Sequence, residues 1–452
     1  MAKSKENIMG ALPVKRALFQ MTFPIIFSSF ANALYGIVDS IYVAHLSPEA
    51  FTAISLSFPI QNFISAVGLG TGIGMNALAS RELGKGNYEH ASAAVHNGIF
   101  LAMCSGLIFA LFGIFGSQRF YRFFTTNQTV MVMGVRYMTI YTVCSIGTLV
   151  GIMMDRTIQM TGKTIYQMIT QASGAVVNII LDPILIYGMF GCPELGLTGA
   201  AVSTVIGQWV GMLTGLTMNL VHNQDVRLSF RKITPEASTI RAIYRIGLPS
   251  ILVQGTGSIM TSGLNKILIS FSDSAVAVFG MYQKLFNLIQ IPVTSLSNAF
   301  VPFIAFNLGL KAKQRILGAI RIALPFVLLM MAAGTLLCQL FPSVLISIFN
   351  QSDSMMTTGV PALRILSSGF CAAGMVLLFT SLFQGLGDGM AGMWMSIVRQ
   401  ILVPLPCALL LSQLRSQNLI WLCIPAAEFM TAALAVIFYF KIRQQRIQPL
   451  GD

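Results

Sequence analysis

The sequence predicts an all-α integral membrane protein, with twelve transmembrane helices in two six-helix lobes related by a parallel pseudo-two-fold repeat. Three observations predict it. The first is composition. Of 452 residues, 55% are hydrophobic and 10% are charged, with a mean hydropathy of +0.75, whereas a soluble domain carries about 25% charge. The second is spacing. Apolar runs of about 20 residues, the length that crosses a bilayer, recur near 14–44, 50–79, 92–116, 131–154, 164–190, 197–221, 242–271, 276–306, 316–341, 357–382, 390–411 and 419–440. The third is an internal offset of 225 residues. It lays Arg16-Ala17 on Arg241-Ala242, Pro24 on Pro249, Asn62 on Asn287, Leu83-Gly84 on Leu308-Gly309, Gly134 on Gly359 and Gln159–Gly162 on Gln384–Gly387. Each match alone is weak in so biased a composition. A single gapless offset that aligns spans, prolines and loop glycines together is stronger.

Six spans per half is an even number, so both halves enter the membrane from the same side. Substrate is then expected between the lobes near the midplane. The lobes are read as 1–221 and 242–452, with the polar stretch 222–241 as the linker between them. The net charge of +13 sits in short loops between apolar runs. That is the positive-inside pattern of a multispan protein, and it argues against a nucleic-acid partner. Twenty Lys and Arg fall at the termini and in one set of loops, against Arg119, Arg122 and Arg415 in the other. Both termini are therefore expected in the cytoplasm of a bacterial inner membrane. The N-terminus reads as a polar lead into a full-length span, not as a cleavable signal. The seven Cys lie mostly inside apolar runs and have no zinc or disulfide spacing. His45, His90, His96 and His222 are dispersed, so no enzyme site and no cofactor are expected.

The first span, Leu12–Leu46, carries two interruptions. Pro24 removes a backbone donor and is expected to bend the helix. Asp39 puts a carboxylate in its outer half, at a cost of about 2–4 kcal/mol unless it finds a partner, a proton or a cavity. Ser28, Asn32, Tyr35, Gly36 and Asp39 recur at helical spacing and form one polar stripe. The fourth span ends on Asp155-Arg156, where a solvated interfacial pair is as good a reading as a site. In the fifth, Asn178 and Asp182 share a face, and Pro183 frees a carbonyl one turn back. Carboxylate, amide and carbonyl oxygens suit a hard monovalent cation, and crowded, desolvated carboxylates also suit a proton.

The second lobe does not duplicate this chemistry. By the offset, Asp39 falls on Leu264, Asn178 on Val403 and Asp182 on Cys407. Instead there are neutral stripes, Gln254, Ser258, Thr261 and Asn265 on the seventh span and Gln283, Asn287, Gln290 and Thr294 on the eighth. Together with Asn32 and Tyr35 in the first lobe, Gln254, Asn265, Gln283 and Asn287 are candidates for lining the substrate cavity. Lys266 and Arg399 are expected to snorkel or to pair with an acid. Glu428, near the outer end of the last span, is read as structural. The 26 Met and 31 Phe suit a promiscuous cavity as a set, although any one of them more often faces lipid or fills a helix contact.

Over nearly its whole length the chain resembles the multidrug and toxic compound extrusion (MATE) transporters, in particular their DinF-like and MepA-like branch. The resemblance rests on GIVDSIYVAHL around Asp39 with Pro24 upstream, on GLGTGIGMNALASRELGKGN, on QMTGKTIYQM, and above all on NIILDPILIYG followed by LGLTGAAVST. It implies twelve helices in two lobes and a secondary antiporter that exchanges inward H+ or Na+ for outward organic, often cationic, compounds. It implies a cation site at Asp39, Asn178 and Asp182, with a sixth-helix threonine, Thr204 first and Thr198 second. Asp155 stands where the family's site has an asparagine, which adds a negative charge. The expected partners are small organic substrates and the bilayer, for a chain acting as a monomer. The alternative is a lipid-linked oligosaccharide flippase of the same superfamily, which usually has fourteen spans and a more cationic cavity. A major facilitator transporter would need an acidic-basic signature where RELGKGN stands.

Overall fold

A computed structural model describes residues 7–223, 225–226, 228, 234–348, 353–414 and 417–450. Linker positions 224, 227 and 229–233, and Arg415, lie outside the described residues. The described residues form helices joined by short turns, with no strand among them. Helix α1 spans Val14–Ala44, α2 Pro48–Gly84, α3 Tyr88–Phe124, α4 Gln128–Val143, α5 Ser145–Gln159, α6 Thr164–Tyr187 and α7 Leu197–His222. Then follow α8 (Ala237–Leu268), α9 (Asp273–Ile289), α10 (Ile291–Gly309), α11 (Lys313–Leu340), α12 (Asp353–Ser367), α13 (Phe370–Gly385), α14 (Gly389–Ile397), α15 (Pro404–Ser412) and α16 (Cys423–Ile442).

Among the described residues, nine helices are long and apolar enough to cross a membrane, and two bent pairs raise the number to eleven. The twelfth rod is α8. Its 32 residues reach about 48 Å at 1.5 Å per residue, but Arg241, Arg245 and Lys266 lower its hydropathy. The bent pairs are α4–α5, at 43°, and α12–α13, at 46°. Cys144 caps α5 and Gly369 caps α13. These positions are related by the same 225-residue offset that aligns the prolines. The fourth and tenth spans are therefore broken at equivalent points, a feature that the hydropathy of the two runs does not reveal.

Proline is accommodated in several spans. Helix α1 runs through Pro24 as one helix. The missing N–H at Pro24 leaves the Gln20 carbonyl without its usual intrahelical donor, and Thr164 Oγ1 approaches that oxygen at 3.5 Å. A π-helical turn, Val398–Leu402, follows α14 just before Pro404.

The chain divides into two compact units. The first comprises Met1–Ala11 and Gln20–Ile251, and the second Leu12–Phe19 and Leu252–Asp452. The assignment of the two short exchanged segments has visible causes. In the second unit, Arg315 Nη2 donates to the Leu12 carbonyl at 2.8 Å, and Phe19 packs edge-on against Phe326 at 5.3 Å. In the first, Asn97 Oδ1 accepts from the Glu236 N–H at 2.8 Å, just ahead of α8. Lys163 Nζ donates to the His222 carbonyl at 2.6 Å. Nearby, burial pushes the Asp225 carboxyl above its usual range, and the Lys163 ammonium partly offsets this.

Glycines set the approach of α6 and α7, the hairpin that carries most of the candidate site. A Cβ at Gly199 would meet the Leu185 carbonyl oxygen at 2.3 Å. A Cβ at Gly207 would stand 2.8 Å from the Gly174 carbonyl oxygen and 3.0 Å from Asn178 Cβ. No larger residue fits without parting the helices. Gly207→Ala is therefore expected to destabilise the detergent-purified protein by about 1–3 kcal/mol, read as a lowered thermal midpoint. An unchanged midpoint would mean that the α6–α7 approach is not tightly packed.

Candidate functional site

Part of the polar stripe of α1 meets α6 within the first unit. Ser28 Oγ bonds its own helix at the Ile25 carbonyl, 3.0 Å away. Asn32 Nδ2 donates to Gln171 Oε1 at 3.1 Å. Tyr35 lines the same cavity as Thr204. The Asp39 carboxylate lies close enough to that of Asp182 to repel it, and its Oδ1 is buried with no hydrogen-bond partner. At the outer end of the stripe, the Tyr187 hydroxyl donates to the Tyr42 carbonyl at 2.9 Å, which ties α1 to α6.

Asp182 is fully buried and Asn178 nearly so. The Ser203 hydroxyl donates to Asp182 Oδ1 in a short bond. The Asn178 amide satisfies both its atoms by donating to Asp182 Oδ2 at 3.0 Å and accepting from the Thr204 backbone N–H at 3.1 Å. Asp39, Asn178, Asp182 and Thr204 thus form one cluster on α1, α6 and α7. Thr204, and not Thr198, stands beside Asn178. Among the described residues none of Asp39, Asp155 and Asp182 is held in an ion pair.

The cluster borders a cavity of about 230 Å3 lined by residues of the first unit, among them Asn32, Tyr35, Asp155, Gln171, Asn178 and Thr204. Gly147, Gly151, Gly174, Gly207 and Gly211 on α5, α6 and α7 also line it. Asp155 lines the same cavity but shares no hydrogen bond with the cluster, because its Oδ2 accepts from Gln171 Nε2 at 2.9 Å. Reading the sequence did not single out Ser203, Gln171, Gln208, Tyr137 or Tyr141. Gln61 Nε2 reaches the Tyr137 hydroxyl and Gln208 Nε2 the Tyr141 hydroxyl, both at 3.5 Å, and Thr148 Oγ1 donates to Gln208 Oε1 at 2.5 Å. Two of these had a signal: Gln171 precedes Asn178 by two helical turns, and Ser203 adjoins Thr204.

The second-lobe candidates lie in the second unit. Gln283 Nε2 donates to Thr261 Oγ1 at 3.2 Å, and Asn287 Oδ1 accepts from Gln290 Nε2 at 2.8 Å. Asn265 Oδ1 is buried without a partner, and Gln254 is exposed. Lys266 is exposed as well. Arg399, on the π-helical turn, pairs with Glu428: its Nε lies 2.8 Å from both carboxylate oxygens, with both side chains almost wholly buried. This acid is paired with a base, whereas among the described residues neither Asp39 nor Asp182 is in an ion pair.

A polytopic helical protein with buried acids in and beside an internal cavity has the build of a membrane transporter. Family-level comparison agrees. The MatE family model matches the chain twice, over residues 24–184 and 249–410, so the chain belongs to the MATE family of efflux transporters. The two matches start on Pro24 and Pro249, at the offset already seen. The FAD transporter of Shewanella oneidensis is 24% identical over 99% of this chain and 98% of its own length. The multidrug export protein MepA of Staphylococcus haemolyticus is 23% identical, covering 95% and 94%. A solved multidrug resistance MATE transporter of the MOP superfamily, in an outward-facing conformation, superimposes with a TM-score of 0.91 at 21% identity, covering 99% of each chain.

The paired and unpaired acids are expected to respond differently to neutralisation. Glu428→Gln leaves Arg399 buried without its partner, a loss of about 3–5 kcal/mol. Asp39→Asn removes a charge that has no partner and is expected to hold or raise the thermal midpoint. Thermal melting of the two purified variants checks this, and equal midpoints would show that the Arg399–Glu428 pair is not structural.

Proposed function

We propose that this chain is a secondary active antiporter that exports organic, often cationic, compounds in exchange for inward H+ or Na+. The observation that carries the reading is the juxtaposition of Asp39 and Asp182 beside Asn178 and Thr204, with no base to neutralise them. Two carboxylates that repel in a poorly hydrated site favour uptake of one positive charge. The site's oxygens come from carboxylate, amide and hydroxyl groups, which fits a hard monovalent cation or a proton. Loading relieves the repulsion and draws the outer part of α1 toward α6. Emptying releases it, and Pro24 is where α1 has the least backbone restraint to absorb the change. Differential affinity for the two arrangements is what couples ion entry to substrate exit.

The lobes 1–221 and 242–452, the linker 222–241, cytoplasmic termini in a bacterial inner membrane, and a monomeric unit complete the proposal. The bias of basic residues to one set of loops supports the orientation. In a cysteine-free background, Ala312→Cys between α10 and α11 is expected to resist a membrane-impermeant thiol reagent in intact cells, and Asn127→Cys between α3 and α4 to react. The opposite pattern would invert the topology.

Transport is tested with purified protein in vesicles, under a Na+ gradient alone and then a pH gradient alone. Ethidium uptake is expected under one of them, at least tenfold lower for Asp39→Asn and for Asp182→Asn. Pro24→Ala is expected to slow turnover more than it weakens ethidium binding. Wild-type coupled transport by both Asp variants would place coupling elsewhere. The FAD transporter relative supports a second substrate class, an anionic flavin nucleotide. FAD run in the same vesicles decides between the two, since only the transported compound accumulates with the gradient.

A further inference from the structure

The internal repeat supplies a control for the charge at one end of the second unit. Residues 81–96 and 306–321 are equivalent by the 225-residue offset, and each holds a helix end, a tight turn and the start of the next helix. The first stretch carries two bases, Arg81 and Lys85, and two acids, Glu82 and Glu89. The second carries four bases, Lys311, Lys313, Arg315 and Arg321, and no acid. A bias of basic residues to one side of the membrane acts on both halves alike, so it does not account for the difference.

The backbone shows that one of these bases is held at a cost. Both turns close in the same way. The Gly86 N–H donates to the Leu83 carbonyl and the Asn87 N–H to the Glu82 carbonyl, both at 2.9 Å; the Lys311 N–H donates to the Leu308 carbonyl at 3.1 Å and the Ala312 N–H to the Asn307 carbonyl at 2.9 Å. Both turns use a left-handed residue, with φ 77° at Gly86 and 58° at Lys311. Glycine adopts that conformation freely and a residue with a Cβ does not, so lysine stands there against its backbone preference. The next helix departs in the same direction. Helix α3 has Glu89 in its first turn, where the helix dipole favours an acid, whereas α11 has Lys313 and Arg315 there and no acid.

The start of α1 adds to the same patch. Arg315 Nη2 donates to the Leu12 carbonyl at 2.8 Å and its Nε to Asn307 Oδ1 at 2.9 Å. Val14 Cγ2 lies 3.8 Å from where a Cβ on Gly318 would stand. Helix α1 thus begins beside α11, again with no acid in its first turn and with Lys15 and Arg16 exposed. Lys311 and Arg321 are exposed too, and among the described residues none of these four is in an ion pair. The acid described at this end of the second unit is Asp388, whose Oδ1 accepts from the Ala391 N–H at the start of α14. Beyond the bases the helices turn apolar. The runs begin directly after Arg16 and after Arg321, and Leu328 and Leu329 are exposed about two turns beyond Arg321. Bases at the head of an exposed apolar helix face match a molecule with an anionic head and apolar tails.

We propose that Lys15, Arg16, Lys311 and Arg321, where α1 and α11 start side by side, bind the headgroup of an anionic phospholipid whose acyl chains lie along α11. The headgroup phosphate supplies the negative charge that two helix N-termini and four exposed bases lack within the chain. Arg315 is a positioning residue, because it ties the start of α1 to that of α11. The site does not rest on the antiport reading above, and none of its residues belongs to the Asp39–Asp182 cluster.

The test is native mass spectrometry of the full chain in detergent, titrated with phosphatidylglycerol and, separately, with phosphatidylcholine. The wild type is expected to bind phosphatidylglycerol the more tightly, by about tenfold. Lys311→Gly restores the residue that the first repeat uses, and Arg321→Gln removes a charge at an exposed position. Each is expected to raise the phosphatidylglycerol Kd about fivefold, while Lys85→Gln, at the equivalent turn of the first half, leaves it unchanged. Thermal melting without added lipid separates binding from folding. Lys311→Gly relieves a left-handed lysine, so its midpoint is expected to hold or rise while its lipid affinity falls. Equal binding of the two lipids by the wild type overturns the site. So does wild-type phosphatidylglycerol affinity in both Lys311→Gly and Arg321→Gln, or an equal loss in Lys85→Gln. Displacement of phosphatidylglycerol by millimolar inorganic phosphate overturns the lipid as its occupant and leaves a site for a free anion.

Discussion

The structure is governed by the cost of placing a charge where water is scarce. The chain meets that cost in three ways, and each leaves a different signature. Arg399 and Glu428 neutralise one another across α16 and the π-helical turn, with both carboxylate oxygens in contact with one guanidinium nitrogen. Lys266, Lys284 and Arg364 stay exposed at the helix surface, where a long stem can carry the charge toward polar surroundings. Asp39, Asp155 and Asp182 do neither. Neutral donors hold two of them, Gln171 for Asp155, and Ser203 and Asn178 for Asp182, and Asp39 Oδ1 is buried without a hydrogen-bond partner. A neutral donor fixes a carboxylate in place without cancelling its charge, which is what a reversible cation site requires.

The cavity exists because small residues and large polar ones are interleaved on the same helices. Gly174 and Gly207 let α6 and α7 approach backbone to backbone. That approach brings Asn178 against Thr204 and Ser203 against Asp182. The buried Tyr137 and Tyr141 hydroxyls on α4 accept from Gln61 and Gln208.

The repeat survives in architecture and not in chemistry. Prolines inside α1 and α8 and caps at Cys144 and Gly369 keep a 225-residue relation, and the family model matches both halves. Asp39, Asn178 and Asp182 of the first unit have no counterparts at Leu264, Val403 and Cys407. A backbone break needs only a local interruption of the helix, so it tolerates drift in sequence. A cluster such as that of Asp39, Asn178, Asp182 and Thr204 needs several specific side chains at once, so it is lost more readily than a backbone break.

Much of this was legible in the residues alone. Composition and the length of the apolar runs determine a helical membrane protein, because unsatisfied backbone groups are too costly in hydrocarbon for other forms. The offset determines two halves, and helical periodicity determines that Asn178 and Asp182 share a face, as do Ser28, Asn32, Tyr35 and Asp39. Periodicity within one helix carries no information about which other helix stands opposite. Tertiary structure alone decided that Gln171 bridges Asn32 and Asp155, that Ser203 completes Asp182, that Thr204 rather than Thr198 faces Asn178, and that Arg399 is the partner of Glu428. The breaks at Cys144 and Gly369 were likewise invisible, since neither apolar run contains a proline at that point. Each of these depends on the rotation and separation of two helices, which packing sets through the glycines between them and no single stretch of sequence encodes.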